Sequence, residues 1–133
     1  MKKASVLFLL MLPITFLSYD SSAQQSKQIV NQEVQLIQFH LEHRCVTCLK
    51  IERLARGTVQ KYFPAISFVL VNVEDKKNAQ KAEDFQASGS ALFLYNSKTG
   101  KKKDLTAFAF MKAGDVDKFE KELKKFIDDF LKG

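Results

Sequence analysis

The sequence predicts an α/β domain: a mixed four-stranded sheet with helices on both faces. Three observations carry this prediction. Residues 66–73, Ile-Ser-Phe-Val-Leu-Val-Asn-Val, form a nearly continuous β-branched and apolar run, as expected of a central parallel strand. Val116, Phe119, Leu123, Phe126, Ile127, Phe130 and Leu131 recur at helical spacing, so the chain closes with an amphipathic helix whose stripe is core. Between the two ends, strand-like and helix-like stretches alternate, which is the pattern of layered α/β folds.

Each element has its own local reason. Residues 34–40 place Val34, Leu36 and, less cleanly, Ile37 and Phe39 in a largely buried strand. From Cys45 to about Phe63 the apolar positions Cys48, Leu49, Ile51, Leu54, Ala55, Val59, Tyr62 and Phe63 fall mostly on one side of a helix. Gly57 weakens that helix by about 1 kcal/mol relative to alanine and is a candidate bend, and Pro64 ends it. Residues 76–87 read as a short polar helix. Residues 91–96 form a third strand, Ser97-Lys98-Thr99-Gly100 a turn, and residues 103–108 a fourth strand. Asp115 or Asp117 caps the last helix, with Glu120 completing a capping box after Asp117. The order is β-α-β-α-β-β-α. Crossover helices imply parallel pairing among the first strands, and the tight turn implies an antiparallel last pair.

Residues 1–23 read as a secretory signal peptide. Lys2 and Lys3 supply the charged region, residues 4–18 the apolar one, and Ser21-Ser22-Ala23 the small residues before a cleavage point. A membrane anchor is the alternative, but the apolar run has fifteen residues with Pro13 inside it, whereas about 20 are needed to span a bilayer. Cleavage leaves residues 24–133 as one small domain, periplasmic or secreted, with no stable membrane insertion. Residues 24–32 are polar, a tail or a short first helix. Without Lys2, Lys3 and Asp20, 19 basic and 14 acidic residues remain. That modest excess gives no footprint for nucleic acid. Its densest part, Lys101-Lys102-Lys103, reads as a solvated hairpin tip, with an acidic partner as the sharper alternative.

Cys45 and Cys48 are the only cysteines. They open the first helix directly after the first strand, one turn apart and within bonding reach of each other. The helix N-terminus favours thiolate over thiol. A nucleophilic thiolate beside a second, resolving thiol is what dithiol–disulfide exchange requires. Two alternatives stay open. As a staple the pair closes a very short loop, worth only about 2 kcal/mol in the chain-entropy account. As a metal site, His40, His43, Cys45 and Cys48 supply a zinc ligand set, although structural sites usually draw their ligand pairs from separate segments. In an exported protein the two cysteines should rest as a disulfide. The five glycines are scattered, and no flavin, nicotinamide or phosphate motif is present, so the expected redox group is the Cys45–Cys48 pair itself, with no cofactor.

The order of elements and the placement of Cys45 and Cys48 resemble the thioredoxin superfamily over nearly all of residues 33–131, which implies a thioredoxin-like fold. A narrower resemblance joins His43-Arg44-Cys45-Val46-Thr47-Cys48-Leu49-Lys50-Ile51-Glu52, Ser90-Ala91-Leu92-Phe93 and Leu105-Thr106-Ala107-Phe108-Ala109-Phe110. Together these segments are similar to the nitrophenyl compound nitroreductase subunit ArsF family. That likeness implies a thiol subunit in the reduction of nitroaryl compounds or arsenicals, working with a redox partner protein or reductase subunit.

The chain departs from ordinary thioredoxins at three places. Arg44 replaces the aromatic residue before the first cysteine. Phe39 occupies the position of their buried aspartate. Ala91, or Ser90 with a small shift, stands where they carry a cis-proline. Arg44 beside Cys45 would lower its pKa into the range of about 3.5–7.5 seen for activated thiols, or would simply be solvated. With the aspartate missing, Glu42 or His43 would have to take the Cys48 proton. A trans peptide is expected before Ala91. That change implies poor activity on extended peptide disulfides and opens the site to a thiophilic metal or an arsenical. The expected machinery is Cys45 as nucleophile, Cys48 as resolving thiol, Arg44 as thiolate stabiliser and His43 as proton shuttle. The alternative is a non-enzymatic periplasmic metal or arsenite binder using Cys45, Cys48, His43 and His40.

Overall fold

A computed structural model describes residues 33–133. The expected signal peptide and the polar stretch 24–32 lie outside the described residues. Four strands, β1 (Val34–His40), β2 (Ser67–Asn72), β3 (Ala91–Asn96) and β4 (Lys102–Asp104), form one sheet in the order β2-β1-β3-β4. Four α-helices accompany them: α1 (Val46–Tyr62), α2 (Ala79–Asp84, entered through a 3-10 turn at Lys76–Asn78), α3 (Thr106–Lys112) and α4 (Val116–Lys132). Among the described residues no helix is long and apolar enough to cross a membrane.

Alternation along β1 divides the core into two layers. Val34 and Leu36 join Leu92 and Leu94 of β3 beneath α1, α3 and α4, where Ile51, Ala55, Val59, Phe119, Leu123 and Ile127 are buried. Ile37 and Phe39 point to the other face and meet Val71, Phe85, Ala87 and Phe93 around the end of α2. There Phe39, Phe85 and Phe93 form a three-ring cluster with centroids 5.2–5.9 Å apart. Helices on both faces of a mixed sheet are the predicted class.

Three expectations about the sheet need correction. Among the described residues the run at 66–73 is an edge strand, not a central one: β2 pairs only with β1, and five of its six residues keep partial exposure. The central strand is β1, apolar on both faces. Secondly, β3 joins β1 antiparallel, although β1 and β2 are parallel as expected. Length explains this. The six residues of α2 advance about 9 Å, too little to return along a strand of about 20 Å, so β3 starts near the end where β2 stops. Thirdly, 103–108 is not a strand. β4 stops at Asp104, whose Oδ1 accepts the Thr106 N–H at 2.8 Å, and α3 begins there. Leu105, Ala109 and Ala113 are buried at a spacing of four, and Phe108 stacks on Phe119 and Phe126 at 5.0 Å. The apolar run 107–110 suits a strand as well as a helix, and packing against α4 selects the helix.

Caps and turns fix the remaining boundaries. Asp115 caps α4 by accepting the Lys118 N–H at 3.1 Å. Glu120 is not part of a capping box: it accepts the Tyr62 hydroxyl at 2.6 Å and ties α4 to the end of α1. The turn between β3 and β4 needs Gly100, whose φ is +73°. The three lysines after it do more than face solvent. Lys101 and Lys103 lie over the Phe130 and Phe126 rings, and Lys102 over Phe85 on the opposite face, at 4.4–5.1 Å from the ring centres. Gly57 sits inside the continuous helix α1, and a Cβ there would meet nothing within 4 Å. Gly57→Ala should therefore stabilise the protein by about 0.5–1 kcal/mol. Chemical denaturation will measure it, and a loss of stability would mean that α1 needs the glycine's freedom.

Candidate functional site

The site stands at the carboxyl end of β1, where the chain leaves the sheet and turns into α1. Cys45 is the N-cap of α1. Its Sγ accepts the Cys48 N–H at 3.1 Å, and its carbonyl accepts the Leu49 N–H at 3.0 Å. Cys45 and Cys48 are joined as a disulfide with their Cα atoms 5.1 Å apart. The two sulfurs are not equivalent. Cys45 is exposed, while Cys48, one turn into the helix, is 4% exposed. The first turn of α1 carries no acidic residue, so no carboxylate in that turn offsets the helix's positive end at Cys45.

Strand register builds the far wall. Phe39 pairs with Ala91, which brings the start of β3 beside the end of β1. Ser90, one residue earlier, reaches Cys48, with Oγ 3.2 Å from Sγ. The described chain has no cis peptide, so the bond before Ala91 is trans, as expected. From Ser90 a recess of about 640 Å³ extends along the sheet edge between Phe85, Ala87, Lys102, Asp104 and Thr106.

Beneath the dithiol lies Gln38. It is buried, and its Nε2 donates to the Cys48 carbonyl at 2.9 Å. Phe39, matched by sequence to the buried aspartate of thioredoxins, points to the opposite layer, among Phe85 and Phe93. Strand alternation makes Gln38 the residue that faces the cysteines.

The other expected residues are placed as follows. Arg44 directs Nη1 to the Glu52 carboxylate, one helical step beyond the dithiol. Its Nε and Nη2 are buried without hydrogen-bond partners. Glu52 also accepts Arg56 Nη2 at 2.9 Å. The Arg44 guanidinium is thus neither solvated nor free, but tied to a carboxylate. Glu42 accepts Asn72 Nδ2 at 2.6 Å. His43 lines a shallow recess with Glu42, Asn72, Glu74 and Asp75. His40 Nδ1 lies 2.9 Å from the Leu41 carbonyl oxygen. Among the described residues no three His, Cys, Asp or Glu side chains form a group that could hold a metal ion. His40, His43, Cys45 and Cys48 are accordingly not assembled as a ligand set in the oxidised chain.

Glu52 carries a pH prediction. Burial alone would raise its carboxyl pKa, but hydrogen bonds from Arg56 and Arg44, with their charges, outweigh burial and hold it below the ordinary range. Its folded pKa lies below its unfolded one, so its stabilisation is complete above the usual glutamate range and is lost as pH falls through the lowered value. Glu52→Gln should cost about 1–2 kcal/mol at neutral pH, because Arg44 loses its partner at a partly screened rim. The variant should also lose less stability than wild type between neutral and acid pH. Parallel denaturation curves would contradict this account of the pair.

No protein-family model matches the sequence, and a search of curated proteins found no match. Solved structures do resemble it. Human ERp44 in a zinc-bound form superposes with a TM-score of 0.52 at 14% identity, over 78% of this chain and 29% of that one. Thioredoxin O2 from Arabidopsis thaliana in the oxidised state gives 0.44 at 19% identity, over 59% of this chain and 65% of that one. A malarial protein gives 0.42 at 20% identity, over 61% and 96%. Together with the observed sheet order and the helices on both faces, the ERp44 likeness establishes the fold: this chain is a thioredoxin-like α/β domain.

Proposed function

We propose that the protein is a thiol–disulfide oxidoreductase in which Cys45 is the nucleophile and Cys48 the resolving thiol. The observation that carries this reading is the asymmetry of the pair: an exposed sulfur at a helix N-terminus, bonded to a buried one a turn deeper. A staple needs no such asymmetry, whereas exchange needs one sulfur that substrates reach and one that they do not. The pair itself is the redox group. Residues 1–23 support export, and an oxidising compartment suits a resting disulfide.

The finer reading is a thiol subunit for nitroaryl or arsenical reduction, serving a reductase or other redox partner. It rests on the His43–Glu52, Ser90–Phe93 and Leu105–Phe110 segments. Two of these meet at the site, since Ser90 touches Cys48 and Glu52 holds Arg44. In the third, Thr106 Oγ1 accepts the Leu92 N–H at 3.1 Å and so braces the strand that carries Ser90. Arsenite titration of the reduced chain, followed by loss of free thiols, tests the arsenical part. A one-to-one end point that vanishes in Cys48→Ser supports it, and two free thiols at saturating arsenite contradict it.

A further inference from the structure

The underside of the dithiol holds a polar group that the sheet does not need. Gln38 lies on the inner face of β1 with Val34 and Leu36 and is 2% exposed. Its contact with the Cys48 carbonyl fixes the amide's orientation, because a carbonyl only accepts: the NH₂ end faces Cys48. The other end, Oε1, is buried with no hydrogen-bond partner. Buried polar atoms are nearly always paired, and an orphan is costly. An aliphatic side chain would fill the same place without that cost.

Ser90 approaches Cys48 from β3, at 3.2 Å. In the disulfide neither sulfur carries a proton, so Ser90 is the donor in that contact. Reduction puts a proton on Cys48. This creates a new donor on a residue whose carbonyl holds Gln38, and the Gln38 amide carries a buried acceptor, Oε1, without a partner. The titratable side chains nearby in sequence or on the recess wall have other partners or surroundings: Arg44 pairs with Glu52, Glu42 with Asn72, His40 with the Leu41 carbonyl and Asp104 with the Thr106 N–H, while His43 is exposed in the recess beside Glu42.

We propose that Gln38 and Ser90 are positioning residues for the resolving sulfur, an uncharged pair that holds Cys48 as thiol and as thiolate without itself titrating. The inference rests on the dithiol reading above. In the resolving step the Cys48 thiolate attacks Cys45 Sγ in a mixed disulfide. The Cys45–Cys48 bond forms and the bond to the substrate sulfur breaks. The substrate leaves as a thiolate and takes up the proton that Cys48 released. Ser90 donates to the Cys48 thiolate. Gln38 Oε1 accepts from the Cys48 thiol, directly or through one water, while Nε2 anchors the first turn of α1. With no carboxylate at either position, Cys48 titrates as a single group once Cys45 is replaced or held in the mixed disulfide.

Two measurements on the full chain test this. The first is the alkylation rate of Cys48 against pH, made in a Cys45→Ser background. The second is the glutathione midpoint with both cysteines present. Wild-type surroundings should give a single ionisation. Ser90→Ala should slow Cys48 alkylation about tenfold at neutral pH, one pKa unit's worth of thiolate, and shift the midpoint, while Ser90→Thr restores both. Gln38→Glu should add a second ionisation. Two ionisations in the wild-type surroundings would overturn the proposal. So would a folded Ser90→Ala protein with unchanged profile and midpoint, which decides the matter even if Gln38→Glu does not fold. A wild-type chain that does not cycle overturns the dithiol reading instead. A chain that cycles identically with and without Ser90→Ala overturns only this inference.

Discussion

Cys45→Ser reduces exchange with a small aryl disulfide such as dithiobis(nitrobenzoate) to the uncatalysed background, and Cys48→Ser accumulates a stoichiometric mixed disulfide. The first variant removes the exposed sulfur that a substrate meets. The second leaves that sulfur in place but removes the buried attacker one turn away, so the covalent intermediate has no internal exit. Mass spectrometry of the two variants after exposure to the disulfide reads the roles directly. If Cys45→Ser formed the adduct and Cys48→Ser did not, the roles would be reversed, contrary to the burial of Cys48. The same Cys48→Ser protein, exposed to extracts of its host, identifies the redox partner by the mass of the trapped adduct.

The largest effect on stability belongs to Phe39→Ala. Phe39 is fully buried at the end of β1, with Phe85 at 5.2 Å and Phe93 at 5.9 Å. Truncating a buried phenylalanine costs about 3–5 kcal/mol, a large part of the 5–15 kcal/mol that stabilises a typical domain. The layer beneath α2 is small, so neighbouring side chains have little means of filling the cavity. Urea denaturation of oxidised protein should show the midpoint falling steeply with little change in slope. A cost below about 1 kcal/mol would mean that this second layer is not a packed core.

Long-range pairing accounts for most of what the sequence concealed. Helices α1 and α4 and strands β1 and β3 are legible because their apolar periodicity is long and their breaks are marked by Pro64, Asp115 and Gly100. Segment 103–108 misleads because Leu105, Ala107 and Ala109 suit a strand as well as a helix. Only the packing of Phe108 on Phe119 and Phe126 selects the helix. The position of β2 misleads because an edge strand that half-covers its own faces has the same apolar composition as a central one.

At the site, local spacing identified Cys45 and Cys48 but not their neighbours. Gln38 was readable in principle, as a polar residue in register with Val34 and Leu36 on the apolar face of β1. Ser90 was named only as the alternative to Ala91 at the cis-proline position, and its contact with Cys48 depends on the pairing of β3 with β1 across half the chain. Arg44 looked like a free charge beside Cys45, since its partner Glu52 lies two turns along a helix whose rotation about its axis the sequence does not specify.

The most direct test of the account is a redox titration of the oxidised chain with defined glutathione ratios, with alkylated species counted by mass. The account predicts one reversible two-electron transition between disulfide and dithiol, with Cys45 alkylated before Cys48 in the reduced form. A disulfide that resists reduction across the whole range, or that opens without closing again, would contradict it and leave Cys45–Cys48 as a staple.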